Sequence, residues 1–375
     1  MSDIYQKQLK WAKKRGLFFD DRIERKTVNG VAGLFATQDI PAGAKLIAYP
    51  VDKTIKNIND KRYTDKTSTT VKQIHAALLE YSKGKSSEYY GHFMQFESLD
   101  DLKSFSTYFY TEEDIQLLES MNYFLAKSVR EINDTLQSRI SEIKSLEPEI
   151  AEETIVLVTL NYHSRAWGDA NFLPVMDYAN HSDRRGKQRG CKDGEYILEA
   201  KQVYKKGEEI FLSYGRKDIY FHAIYYNYFD PNGVHYIQYG PRFVQAAESQ
   251  IEKEIAQYTA SKFKLDITQA DGKIHYCCLE SDVCFLENAP SLRMIEYIQT
   301  NYFSSMKEWQ EKQCSKASLA QRLLDILNIM LSANRIDEFK QSQLPKRMHR
   351  FYPLLQKEKQ MLIRNKEWVV DNFYL

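Results

Sequence analysis

The chain predicts an α+β fold, in which a β-rich unit is interrupted by a helical insertion and followed by a mostly helical C-terminal lobe. Three observations predict it. Residues 23–50 read as short strands separated by an Asn-Gly turn and a Pro-Ala-Gly turn. Leu118, Met121, Leu125, Val129, Ile132, Leu136, Ile140 and Ile143 recur at steps of three and four, as on a helix with one apolar face. Short β-like runs return after Thr154 and give way to helical periodicity after Gly240.

Each element follows in order. Residues 4–14 read as a short helix that leads into the small β meander. Its "NGVAG" looks like a phosphate loop, but no amphipathic helix follows, and a dinucleotide fingerprint requires strand, glycines and helix in sequence. The long apolar stripe is read as a packing face that Pro148 ends. Next come "TIVLVTLNYHSRAW", "FLPVMDYANHS", "EYILEAKQVYKKGEEIFLSYG" and "AIYYNYFDPNG", all read as β-like, with a Lys-Lys-Gly turn at Lys205 to Gly207. Beyond Gly240, "RFVQAAESQIEKEIAQY", "SLAQRLLDILNIML" and "FYPLLQKEKQMLIRNKEWVV" predict a separate helical lobe.

Composition narrows the function. Lys plus Arg number 52 against 51 for Asp plus Glu, so no global field favours nucleic acid or an anionic membrane. The five cysteines are odd in number and lack a repeated CxxC, which argues against a disulfide framework or a four-thiolate zinc site and suits a reducing compartment. No apolar run approaches the roughly 20 residues of a membrane span, and the first residues show no signal-peptide pattern. A soluble, cytoplasmic, monomeric protein without a metal is expected. Asn180 and His181 end an apolar run, which suggests a pocket floor, although Asn180-His181-Ser182 also fits an N-glycosylation acceptor.

An early "GLFATQDIPAGAKLI", a late "NHS", and "EEIFLSYG" followed by aromatic residues occur in that order. Their conjunction resembles a SET domain of the Rubisco large-subunit and actin-histidine methyltransferase branch. The resemblance divides the chain into an N-terminal SET part (1–56), a helical insertion (57–153), a C-terminal SET part (154–240) and a helical substrate-binding lobe (241–375). It implies S-adenosyl-L-methionine as methyl donor and a side-chain nitrogen of a folded protein as acceptor, with actin one candidate by analogy. By position, Asn180 would hold the methionine part of the donor in a knot-like crossing, and the backbone of His181 its adenine edge. Asp177 lies three residues before Asn180, as in related enzymes. Arg165 would grip the donor carboxylate, a task suited to a guanidinium fork. Backbone at Gly30, Ala32 and Leu34 would meet the donor's amino end, although "GVAGL" departs from the usual Gly-x-Gly.

The same resemblance makes Tyr214 the catalytic tyrosine, its hydroxyl aimed at the transferring methyl, and places Tyr226 and Tyr228 in an aromatic substrate channel. Members that modify histidine carry an amide two residues after the matched arginine. Here that position is Trp167, better suited to an alkyl chain, so lysine is the expected acceptor. Histidine methylation and a non-catalytic SET-like binding module remain the alternatives.

Overall fold

The computed structural model describes residues 2–28, 31–167, 172–182, 186–188, 191–215, 218–230, 233–243, 245–270, 273–303, 305–312 and 314–373. By packing, the chain divides into two units, Met1–Phe105 with Asn133–Gly215, and Ser106–Ile132 with Arg216–Leu375.

The first unit is β-rich. Ile23–Val28 and Val31–Ala36 form an antiparallel hairpin, and Glu209–Ile210 pairs onto its second strand with Leu34 opposite Ile210 and Phe35 opposite Glu209. A second sheet runs in the order Phe18–Phe19, Lys45–Pro50, Glu195–Glu199, Cys191–Lys192. The chain turns at Gly43 before Lys45–Pro50 and at Gly207 before Glu209–Ile210, both with positive φ (80° and 88°), the conformation that favours glycine. Leu34, Ile47, Leu173, Met176, Leu198 and Ile210 close the core of this unit.

One of the runs read as β is a helix, and another begins in the last residues of one. Glu152–Arg165 carries Ile155, Val156, Val158, Thr159, Leu160 and Tyr162 into the interior around most of its circumference. A helix buried on most sides shows no one-faced stripe, and tertiary burial overrides the β preference of its branched residues. Ile219–Tyr225 is also helical, and Asp218 starts it by accepting the Tyr220 amide at 2.9 Å. Within "FLPVMDYANHS" a 3-10 turn, Met176–Tyr178, is followed by a single parallel bridge at His181. The strands in "EYILEAKQVYKKGEEIFLSYG" form as expected.

The apolar stripe spans two helices. Glu112–Met121 stops and Tyr123–Leu146 starts at Asn122, which is extended, with φ −164° and ψ 114°. The Asn122 side chain accepts the Leu125 amide at 3.0 Å and donates to buried Glu358 at 2.8 Å. The stripe is a packing face throughout. Leu118, Met121, Leu125 and Val129 join the core of the second unit, while Leu136, Ile140 and Ile143 are buried further along.

In the second unit the helices Gln250–Ala260, Leu292–Asn301, Lys316–Ala333 and Phe351–Phe373 surround the apolar core. This lobe also contains an antiparallel sheet of Gln245–Ala247, Lys273–Cys278 and Leu265–Ala270, which the helical expectation for it omits. No described helix is long and apolar enough to cross a membrane.

Candidate active site

Segments 179–182 and 210–214 run side by side in parallel. The Leu212 amide donates to the Asn180 carbonyl at 2.9 Å, and the Ser182 amide donates to the Leu212 carbonyl at 3.0 Å. Because this ladder uses the groups flanking His181, the N–H and C=O of His181 itself point away from it. Lys187–Gln188 continues the parallel pairing against Leu212–Ser213.

Asn180 connects the crossing to the hairpin. Its Nδ2 donates to the Ala32 carbonyl at 2.8 Å and to Glu209 Oε1 at 2.7 Å. Both amide hydrogens are thereby used, which leaves Oδ1 as the available polar atom and removes the glycan-acceptor reading of this residue. Gly33 leaves room for the arrangement, since a Cβ there would fall 2.5 Å from Glu209 Oε1 and 3.1 Å from Asn180 Nδ2. Leu34 is fully buried beneath it, and Gly30 lies outside the described residues.

His181 and Tyr214 are held by each other. The Tyr214 amide donates to His181 Nδ1 at 3.0 Å, and the two rings lie 5.1 Å apart at 34°. An amide can only donate, so Nδ1 is the unprotonated nitrogen and neutral His181 carries its proton on Nε2. The Tyr214 hydroxyl donates to the Ala179 carbonyl at 3.1 Å. That bond fixes the position of the phenolic oxygen.

Arg165 and Asp177 form a second polar cluster in the same unit. Asn161 accepts the Glu97 amide at 2.9 Å and donates to the Glu97 carbonyl at 3.1 Å, which pins the 95–97 segment beside the end of helix Glu152–Arg165. Arg165 Nη2 then meets Glu97 Oε1 at 2.7 Å, and Nη1 lies 3.8 Å from Asp177 Oδ2. Gln95 donates to the same Asp177 oxygen. Arg165 Nε, Asp177 Oδ1 and Gln95 Oε1 are buried without a hydrogen bond, so the cluster has polar capacity to spare. A donor carboxylate held by Arg165 would share the guanidinium with Glu97.

The Asp177 side chain is 3% exposed, and burial pushes its carboxyl up to about 7 against the lowering pull of Arg165. Between the ordinary value of 3.8 and about 7, the folded protein holds a proton that the unfolded chain has released. The stability this group contributes is therefore present at low pH and is lost as pH rises through that window. His92 and His163, each pushed down to about 3 by burial, act with the opposite sign and cost stability as pH falls below the usual histidine value. Asp177→Asn should cancel only the first effect. The difference in melting temperature between variant and wild type should move in the variant's favour from about pH 5 to about pH 8, and a constant difference would show that Asp177 does not titrate in this range.

Trp167 follows this cluster and is 5% exposed, packed in the core of the first unit. Tyr226 and Tyr228 belong to the second unit. Tyr226 ends helix Ile219–Tyr225, with its ring 5.8 Å from His222 and 6.0 Å from Phe221. The Tyr228 amide donates to the His222 carbonyl at 3.4 Å, after a turn through Asn227 at φ 50°, a conformation asparagine tolerates. Asp218 anchors the start of that helix by accepting from the Gln238 amide at 2.9 Å and pairing with buried Arg242.

Sequence reading passes over Glu209, Gly33, Gln95 and Glu97. Glu209 stands in "GEEI" and Gly33 in "GVAGL", but their relation depends on pairing between strands far apart in the chain. Among the described residues, Asp60, His75 and Glu147 also bring metal-ligand atoms together. Arg62 already serves as their cation, 2.6 Å from Asp60 Oδ2 and 2.7 Å from Glu147 Oε1.

This geometry sits in a recognised family. Residues 31–215 match the model of the SET domain, and the chain contains a SET domain over that span. Its whole fold is that of the Rubisco LSMT structures. The SET domain of LSMT bound to lysine and AdoHcy is 14% identical, with a TM-score of 0.69 over 99% of this chain and 92% of that one. LSMT bound to methyllysine and AdoHcy is 15% identical, with a TM-score of 0.70 over the same shares. Rubisco LSMT bound to AdoMet is 14% identical, with a TM-score of 0.69 over 100% of this chain and 93% of that one. No curated protein matches the chain by sequence.

Proposed function

We propose that this chain is an S-adenosylmethionine-dependent protein-lysine N-methyltransferase. The observation that carries the reading is the Asn180, His181 and Tyr214 constellation within a SET domain. Asn180 is locked so that Oδ1 is left over, the His181 N–H and C=O face away from the ladder, and the Tyr214 hydroxyl is fixed against Ala179. These residues fit the donor. Asn180 Oδ1 and the backbone near Ala32 are acceptors for its ammonium, the N–H and C=O of His181 that face away from the ladder suit an adenine edge, and the unsatisfied Arg165 Nε is a donor for a carboxylate. When bound, the donor supplies an electrophilic methyl on a sulfonium.

The protein's own residues do the rest. A lysine with a pKa of about 10.4 must lose its proton before it can attack, and an apolar, aromatic surround favours the neutral amine. Trp167, Tyr226 and Tyr228 are the aromatic residues assigned to that surround. Tyr214 orients the amine, so that the acceleration comes from alignment at about 3 Å separation. Trp167 offers no amide to fix an imidazole, which favours lysine, and the added hydroxyl of Tyr228 favours one or two methyls over three. The acceptor is a lysine on a folded protein, with actin a first candidate to assay.

Incubation with labelled donor and whole-cell lysate, followed by mass spectrometry, should place the label on lysine. Label on a histidine nitrogen in the principal substrate would overturn the acceptor, and calorimetry showing no donor binding would leave only a binding module. In the same titration, Asn180→Ala should weaken donor binding by about 1 to 3 kcal/mol, the cost of leaving buried partners unpaired. Unchanged affinity with lowered thermal stability would make Asn180 purely structural.

A further inference from the structure

The second unit contains a cavity of about 540 Å³ whose walls include Tyr258, Lys262, Arg293, Glu296, Lys312 and Cys314. Its charges do not cancel. Arg293 is met by Glu280 at 2.7 Å and by Glu296 at 3.0 Å, so the wall carboxylate is already engaged. Lys262 and Lys312 have no carboxylate within ion-pair distance among the described residues. Both nonetheless converge on one ring, with their ammonium groups 4.7 Å and 5.3 Å from the Tyr258 centroid. Lys312 also lies over Trp309.

Two ammonium groups held against one ring repel each other, and the ring offsets only part of that cost. An anion between them reverses the sign of the interaction. Lys312 is also held in place, since it caps helix Met306–Glu311 in a left-handed conformation (φ 52°) where glycine is the usual residue. The Cys314 thiol, pushed up to about 11 by burial, stays neutral and brings no competing anion.

We propose that this cavity receives an acidic segment of the protein substrate, with carboxylate side chains reaching Lys262 and Lys312 and the peptide lying over Tyr258. The volume is of the size that takes a multi-group ligand, and a single small anion would fill little of it. The proposal rests on the reading of the chain as a protein methyltransferase and adds the substrate class that its second unit selects.

The test uses the full chain, without methyl donor, and a fluorescein-labelled hexaglutamate peptide followed by anisotropy. Binding should weaken with added salt and fall about tenfold or more in the double variant Lys262→Glu/Lys312→Glu. Reversal of another exposed lysine of the same unit, Lys366→Glu, should leave it within about twofold. No binding by wild type, or equal loss in both variants, overturns the proposal. Displacement of the peptide by inorganic phosphate at equal charge concentration also overturns it, in favour of a small-anion site. Because this readout needs no transfer, Lys262-dependent binding without lysine methylation would defeat the enzymatic reading alone. Methylation with unaltered peptide binding in the double variant would defeat the docking site alone.

Discussion

Tyr214→Phe is expected to lower turnover by about an order of magnitude or more, while donor affinity and fold are largely kept. The phenolic oxygen is held by its bond to Ala179 at 3.1 Å, and the Tyr214 amide is separately held by His181 at 3.0 Å. The substitution keeps the ring and its contact with His181 and loses one hydroxyl bond, worth about 1 kcal/mol to stability. On the proposed role, the transfer step should lose more, because the oxygen would act on charge that shifts only as the methyl moves. Single-turnover measurement with saturating donor separates the two costs. A variant that turns over at the wild-type rate would remove the hydroxyl from the mechanism, and one that binds donor poorly would make Tyr214 a binding residue.

Legibility in the sequence follows how local the cause is. The meander over residues 23–50 is set by its turns, so Gly43 and the hairpin strands are readable in place. The apolar stripe is readable too, but the break at Asn122 is not, since Met121 to Leu125 is a step of four whether or not the backbone is continuous. Helix Glu152–Arg165 is misread because burial around most of its surface erases periodicity. The sheet in the second unit escapes notice because its strand Lys273–Cys278 alternates only weakly in burial. At the site, Asn180, His181 and Tyr214 stand out as motif residues. Glu209 and Gly33 do not, because their roles exist only once Glu209–Ile210 has paired with the hairpin.

Gly186→Ala should be among the most damaging single-methyl changes in the first unit, and its damage should fall on the site. A Cβ at residue 186 would lie 2.3 Å from the Leu212 carbonyl carbon, 2.5 Å from the Ser213 nitrogen and 2.5 Å from the Ser182 oxygen. All three are backbone atoms, so no side chain can swing aside, in contrast to Gly33, where the nearest atom is the end of Glu209. The Gly186 amide also donates to the Ser182 carbonyl at 2.7 Å, which ties the glycine to the crossing. To admit the methyl, the crossing must open, separating Asn180 and Ser182 from Leu212 and withdrawing the Tyr214 amide from His181. Overpacking against side chains typically costs about 1 to 3 kcal/mol, and against backbone the cost should reach or pass the top of that range. Thermal unfolding should show a large drop in stability. If a residual folded population is recovered at low temperature, calorimetry on it should find donor binding reduced at least as much as in Asn180→Ala. A variant with wild-type melting temperature and donor affinity would mean that the close approach of these two segments is not required by the folded protein.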